Sequence, residues 1–157
     1  ASAALTGAMS RNTSSDAELK VLDAVIKAII TLVNNDSKYS LELCTQEMCK
    51  MLSDSFSSHL TIPEAVTSIV EVICVLAGHH DENVHNIVAT AIPSCLSQTL
   101  VMHTSDKDLV RATLRALWLV CRAAPPSASA ALKELHMSQT IQAVATRHAE
   151  GNLVPCR

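Results

Sequence analysis

Apolar residues along this chain fall into helical register, and the register then repeats. Leu22, Ile26, Ile29, Ile30 and Val33 occupy positions i, i+4, i+7, i+8 and i+11. Ala65, Ile69, Val72, Ile73 and Leu76 repeat the set 43 residues later, and Leu109, Thr113, Ala116, Leu117 and Val120 repeat it after a further 44. Residues with that spacing line one face of a helix. Shorter matches accompany them at the same two offsets, Leu41 with Val84 and Ala128, and Cys44 with Ile87 and Ala131. A period in this range is the mark of a helical solenoid, in which a unit cannot bury its apolar face alone and stacks on its neighbours.

Start and stop signals divide the chain. A first helix is predicted from Asp16, with Ser15 or Asp16 as N-cap, to about Asn34, where Asn-Asn-Asp-Ser interrupts it. A second is predicted over 39–57, with Leu41, Cys44, Met48, Leu52 and Phe56 on one face, forming an αα-hairpin with the first. The third opens after Thr61, with Pro63 tolerated in its first turn, and ends near Gly78 as the C′ residue. A fourth is expected over 81–102, kinked or split by Pro93. The fifth runs over 106–123, opened by Ser105 or Asp106 and stopped by Pro125-Pro126. A last helical stretch over 127–149 divides near His136–Ser138. Residues 1–15, rich in Ala, Ser and Thr, read as a disordered tail in which Gly7-Ala8-Met9-Ser10 matches a tag-cleavage scar; 151–157 reads as a flexible tail.

Composition narrows the class to all-α. Hydrophobic residues make up 48% but aromatic residues only 2%, and there are three glycines among 157 residues. Sheet proteins draw on aromatic side chains and turn glycines that this chain lacks. The length suffices for one core without disulfides or metals.

Net charge is only −3, which opposes a nucleic-acid coat, since phosphate binding needs clustered Lys and Arg. Its distribution is uneven. Residues 60–105 hold four acids and no Lys or Arg, whereas 106–157 hold seven basic residues against four acids. Such polarity steers a partner or pairs two copies. Five of the six cysteines (Cys44, Cys49, Cys74, Cys95, Cys121) lie in apolar helical stretches, the placement of reduced core thiols. No apolar run reaches membrane-spanning length, so the expected location is the cytosol or the nucleus, with no membrane partner.

At 108–124 the chain reads DLVRATLRALWLVCRAA, and there it resembles the third helix of an armadillo repeat, with Ala116-Leu117-Trp118-Leu119-Val120 in place of that family's Ala-Leu-Trp-x-Leu core. HEAT repeats are close competitors. The resemblance, extended over 16–150, implies a right-handed α-solenoid of about three armadillo-like or HEAT-like repeats. It also implies that third helices line a concave groove for extended peptides or partner helices. Peptide-binding members carry a Trp followed four positions later by Asn. Here the matching pairs are Trp118 with Arg122, Cys74 with Gly78, and Thr31 with Asn35. That departs from the ladder that holds basic peptides.

The helical spacing defines the same face independently. Arg111, Arg115, Trp118 and Arg122 fall at i, i+4, i+7 and i+11, beside Thr67, Glu71, Cys74 and Gly78, then Ala24, Ala28, Thr31 and Asn35. Guanidinium groups bind carboxylates and phosphates bidentately, and Trp supplies a flat anchor. The partner expected is a protein or peptide with an acidic or phosphorylated segment, held by Arg111, Arg115, Trp118 and Arg122, with Glu71, Thr67 and Asn35 on the flanking helices. The bland alternative is a solvated helix face beside a core Trp.

Other constellations carry less. His79, His80 and His85, near Cys74, Asp81 and Glu82, lack zinc-ligand spacing and read as a histidine-rich turn; no metal or cofactor is expected. Ser55, Ser57 and Ser58 beside His59 are neighbours in sequence, which is not triad geometry, and no nucleophile elbow or phosphate loop occurs. Cys156 reads as an inert tail thiol. The chain is therefore expected to be a non-enzymatic scaffold or adaptor. Two alternatives remain. One is a self-associating structural module, a homodimer through an exposed apolar first helix carrying Leu19, Val21, Val25, Ile26, Ile29, Ile30 and Val33 or through the repeat ends, and the other is a helical carrier of lipid or another hydrophobic ligand.

Overall fold

A computed structural model of the chain describes residues 16–126, Gln142 and Thr146. Seven helices are assigned within 16–126: α1 (Asp16–Asn35), α2 (Lys38–Leu43), α3 (Gln46–Ser58), α4 (Pro63–His79), α5 (Asp81–Val88), α6 (Ile92–Met102) and α7 (Lys107–Ala123). No strand occurs among the described residues. The all-α expectation holds. The stretch at 127–149, both tails, Ala128, Ala131 and Cys156 lie outside the described residues.

The chain between α1 and α4 departs from the single helix expected over 39–57. It breaks at Cys44 and Thr45 into a short and a longer helix. Cys44 leaves helical geometry at ψ 52°, and Thr45 is extended at ψ 164°. The Thr45 side-chain oxygen then accepts the Met48 N–H at 3.1 Å, so a new helix starts with a donor already satisfied. Leu41, expected on the buried face, is exposed in consequence, while Cys44, Met48, Leu52 and Phe56 are buried.

The same break occurs between α5 and α6, where the expected helix over 81–102 is split. Thr90 donates to the Ile87 carbonyl at 2.6 Å and its hydroxyl accepts the Ile92 N–H at 3.2 Å. Pro93 falls in the first turn of α6, where its missing N–H costs nothing. A sequence of short, middle and long helices thus occurs twice, as α2–α3–α4 and α5–α6–α7.

Counterparts pack on each other: α1 on α4 and α4 on α7, α2 on α5, and α3 on α6. Several hydrogen bonds that cross between these layers keep nearly the same step. Asn83 donates to Ser40 Oγ at 2.5 Å and to the Leu76 carbonyl at 2.9 Å. His103 Nε2 lies 2.7 Å from the Leu60 carbonyl and His80 Nε2 lies 3.1 Å from that of Ser37, each 43 residues apart. Asn86 donates to the Cys44 carbonyl at 2.7 Å. Polar groups in the turns are thus met by partners from the adjacent layer.

The core follows the repeated register. Ile26, Ile29 and Val33 of α1, Ile69, Val72, Ile73 and Leu76 of α4, and Leu109, Ala116, Leu117 and Val120 of α7 are all buried. Thr113 occupies an apolar slot because its hydroxyl donates back to the Leu109 carbonyl at 2.7 Å, which leaves only its methyl group to pack. One expectation is corrected. Gly78 does not terminate a helix, since α4 continues through His79 and is ended by His80 in extended conformation. On α1, Val25, Ile26, Ile29 and Val33 are buried within this chain, Leu19 and Ile30 are half-buried, and Val21 is exposed.

Candidate functional site

Local sequence sets α7 in place firmly. Asp106 is its N-cap and its carboxylate accepts the Leu109 N–H at 3.1 Å. Asp108 stands in the first turn and Arg122 in the last, both favourable for the helix dipole. With the inner face fixed against α4, α5 and α6, the stripe opposite must face outward. Arg111, Arg115, Trp118 and Arg122 are all exposed. Trp118 is 58% exposed, so it is not a core tryptophan, and it is the only one in the chain.

The three side chains at the end of this stripe form one assembly. The Arg122 guanidinium lies over the Trp118 ring, 5.0 Å from its centroid, within the range of a cation–π contact. The same guanidinium reaches Asp81 Oδ1 of α5 at 3.5 Å. Arg111 pairs with Asp108 one turn earlier at 4.0 Å. Arg115, between them, has no carboxylate within ion-pair distance among the described residues.

Neighbouring helices extend the surface. On α4, Thr67, Glu71 and Gly78 are exposed and Cys74 is half-buried; on α1, Ala24, Ala28, Thr31 and Asn35 are exposed. The stacking of α1, α4 and α7 brings these stripes side by side. Ser68 Oγ of α4 donates to Asp23 Oδ1 of α1 at 2.8 Å, and Cys74 Sγ of α4 donates to the Ala112 carbonyl of α7 at 3.5 Å. The charges sense one another across the helices. Burial raises the Cys74 pKa, with Arg115 opposing that shift and Glu71 adding to it. Lys27 is raised chiefly by its hydrogen bond to Asp23, with a smaller part from Glu71.

The expected residues are thus distributed as follows. Arg111, Arg115, Trp118 and Arg122 share one outward face with Glu71 next to Arg115's neighbour Cys74. Thr67 lies at the α4 start, its hydroxyl donating to the Pro63 carbonyl at 2.7 Å. Asn35 is the last residue of α1. Sequence reasoning missed Asp81, which anchors Arg122 from a different helix, and no spacing rule could have found it. It also missed Lys27, whose ammonium is 2.6 Å from Asp23 on the flank of the same surface.

Other candidate groups are occupied locally. His80 is drawn to Ser37 while His79 is exposed, so the adjacent imidazoles diverge. His59 is buried, with Nδ1 2.7 Å from the Ser55 carbonyl one turn back, and Ser57 Oγ lies 3.3 Å from Cys95 Sγ. Among the described residues no three His, Cys, Asp or Glu side chains converge as metal ligands. No described helix is long and apolar enough to cross a membrane. No protein-family model matches the chain, and no curated protein or solved structure matches it either.

Proposed function

We propose that this chain is a non-enzymatic interaction module, a short right-handed α-solenoid of armadillo-like or HEAT-like units, that holds an acidic or phosphorylated segment of a partner protein against the α1–α4–α7 face. The solenoid reading is supported by the twice-occurring order of short, middle and long helices and by the packing of each helix on its counterpart. One observation carries the binding reading. Among the described residues Arg115 has no carboxylate within ion-pair distance, and it is flanked by Arg111 and by an exposed Trp118 already stacked with Arg122.

A guanidinium in that position offers two parallel N–H donors to a carboxylate or phosphate, and the indole beside it offers a flat surface for the partner's next side chain. Asp108 and Asp81 hold the flanking arginines in place but leave their exposed faces free to join. The α4 and α1 stripes, small and mostly uncharged, allow a backbone to lie close. In this reading the stripe is the concave side of the solenoid, and the module acts as scaffold or adaptor in the cytosol or nucleus.

The test is an array of acidic, phosphoserine and basic peptides probed with the wild type and with a variant carrying Arg111→Glu, Arg115→Glu and Arg122→Glu. Acidic or phosphorylated peptides should bind the wild type and lose at least about tenfold in affinity with the variant, roughly 1.4 kcal/mol, while circular dichroism and melting stay unchanged. Equal binding by both proteins, or selection of basic peptides, would reject the site.

A further inference from the structure

Cys44 and Cys49 are placed by the α2–α3 corner and are the only thiols in mutual contact among the described residues. Cys44 is the last residue of the corner before Thr45 turns extended, and Cys49 lies in the first turns of α3. Their sulfurs are 3.4 Å apart, so they have roughly 1.4 Å to travel to bonding distance. Both are in the core, 1% and 0% exposed. The other thiols have different neighbours: Cys74 donates to a backbone carbonyl and Cys95 meets the Ser57 hydroxyl. The backbone of the corner is fixed by groups other than the two thiols, since Thr45 caps α3 and Asn86 holds the Cys44 carbonyl.

We propose that Cys44 and Cys49 are a redox modification site, a dithiol that closes to an intrachain disulfide with a peroxide as the oxidant. Cys49 is the attacking sulfur. The Asn83 carbonyl, 3.8 Å away, accepts from the Cys44 thiol, and either thiol can donate in the 3.4 Å hydrogen bond between the two. That hydrogen bond lowers the Cys49 pKa, while the same bond and burial raise that of Cys44.

In the first step the Cys49 sulfur attacks one peroxide oxygen. The S–O bond forms, the O–O bond breaks, and the leaving hydroxide takes the thiol proton away as water. In the second, the Cys44 sulfur displaces that oxygen from Cys49: the S–S bond forms, the S–O bond breaks, and a second water leaves with the Cys44 proton. Two thiols lose two electrons and two hydrogens, and hydrogen peroxide is reduced to two waters. Access comes through opening of α2, six residues long with Tyr39 and Leu41 exposed on its outer side.

Trypsin makes the test direct. No Lys or Arg separates the two cysteines, and cleavage at Lys38 and Lys50 places both in the single peptide 39–50. The folded full chain is treated with hydrogen peroxide, quenched with catalase, unfolded in acidic denaturant with N-ethylmaleimide, and digested. The expected result is a peptide 39–50 that carries no alkyl group, is lighter by two hydrogens than its reduced form, and regains both alkylation sites after dithiothreitol. It should appear before Cys95 loses its free thiol. Double alkylation of the peptide under conditions that oxidise Cys95, or accumulation of sulfinic acid at Cys49, would overturn the proposal. The Cys44→Ser variant adds a second reading: dimedone should trap a sulfenic acid at Cys49 that in the wild type is consumed too fast to trap.

Discussion

Helices α1 and α7 occupy equivalent places on the two sides of α4, and their inner faces are nearly interchangeable. Ile29 and Val33 on one, Ala116 and Val120 on the other, are buried to the same degree at matching positions of the register. Their outer faces share nothing. At the positions where α7 presents Arg111, Arg115, Trp118 and Arg122, α1 presents Ala24, Ala28, Thr31 and Asn35. Packing dictates the first set, because a buried position must be apolar and of fitting volume. It places no such demand on the second, where any helix-compatible residue is tolerated. An aromatic ring and three guanidiniums on one outer face are therefore a feature that packing did not impose, and it is on this feature that the proposed binding role rests.

The sharpest way to break the comparison is to cut into the faces it treats as equal. Ile29→Ala on α1, Ile73→Ala on α4 and Leu117→Ala on α7 should each cost about 2–5 kcal/mol, read by urea denaturation, with Ile73→Ala the largest because α4 is packed from both sides. A negligible cost for Ile29→Ala would show that α1 is loosely attached and that its resemblance to α7 is one of sequence alone. Next in size is the junction between layers. Asn83→Ala removes the donor to Ser40 Oγ and to the Leu76 carbonyl at a position 2% exposed, and should cost about 1–3 kcal/mol. Recovery of that loss in an Asn83→Ala, Ser40→Ala double variant would assign it to the stranded hydroxyl.

How much of this was legible in the sequence follows from the same division. The inner register, spaced at i, i+4, i+7, i+8 and i+11, gave α1, α4 and α7 because one period governs burial over four or five turns. The Arg–Trp stripe followed as its complement. The break at Cys44–Thr45 was not legible from periodicity, since Leu41 and Cys44 continue the apolar pattern across it; Thr45 as an N-cap was the only local sign, and threonine is common inside helices. Pro93 advertised the corresponding break in α6, so one of two equivalent corners was foreseen and the other was not. Contacts such as Asp81 with Arg122 within one unit and Asn83 with Ser40 between units join residues about 40 apart, and only the folded packing brings them together.

Within the outer stripe the Asp81 contact makes a smaller prediction. Asp81→Asn leaves Arg122 without its anchor, and because Trp118 is the sole indole its emission reports the change directly. The emission should move toward that of a solvated tryptophan, with stability altered by less than about 0.5 kcal/mol. Identical spectra would mean that the stacking of Arg122 on Trp118 holds without help, and that α5 has no part in shaping the surface.

The smallest effect belongs to the α1 side of the same surface. Asp23 is held below the ordinary carboxylate pKa, first by its hydrogen bond to Lys27 and then by that from Ser68. A carboxylate whose pKa is lower in the folded chain than in the unfolded one binds fewer protons when folded, so its contribution to stability is present in full above its unfolded pKa of about 4. That contribution fades as the pH falls through the lowered folded value. Asp23→Asn should therefore destabilise slightly at pH 7, and the gap from the wild type should close on going to pH 3, measured as the shift in urea midpoint. Salt should shrink the gap at pH 7, because the Lys27 partner is exposed and screened. A gap that persists in acid would instead place the stabilisation in the neutral Ser68 hydrogen bond between α1 and α4, which makes that contact part of the stacking and not of the surface charge.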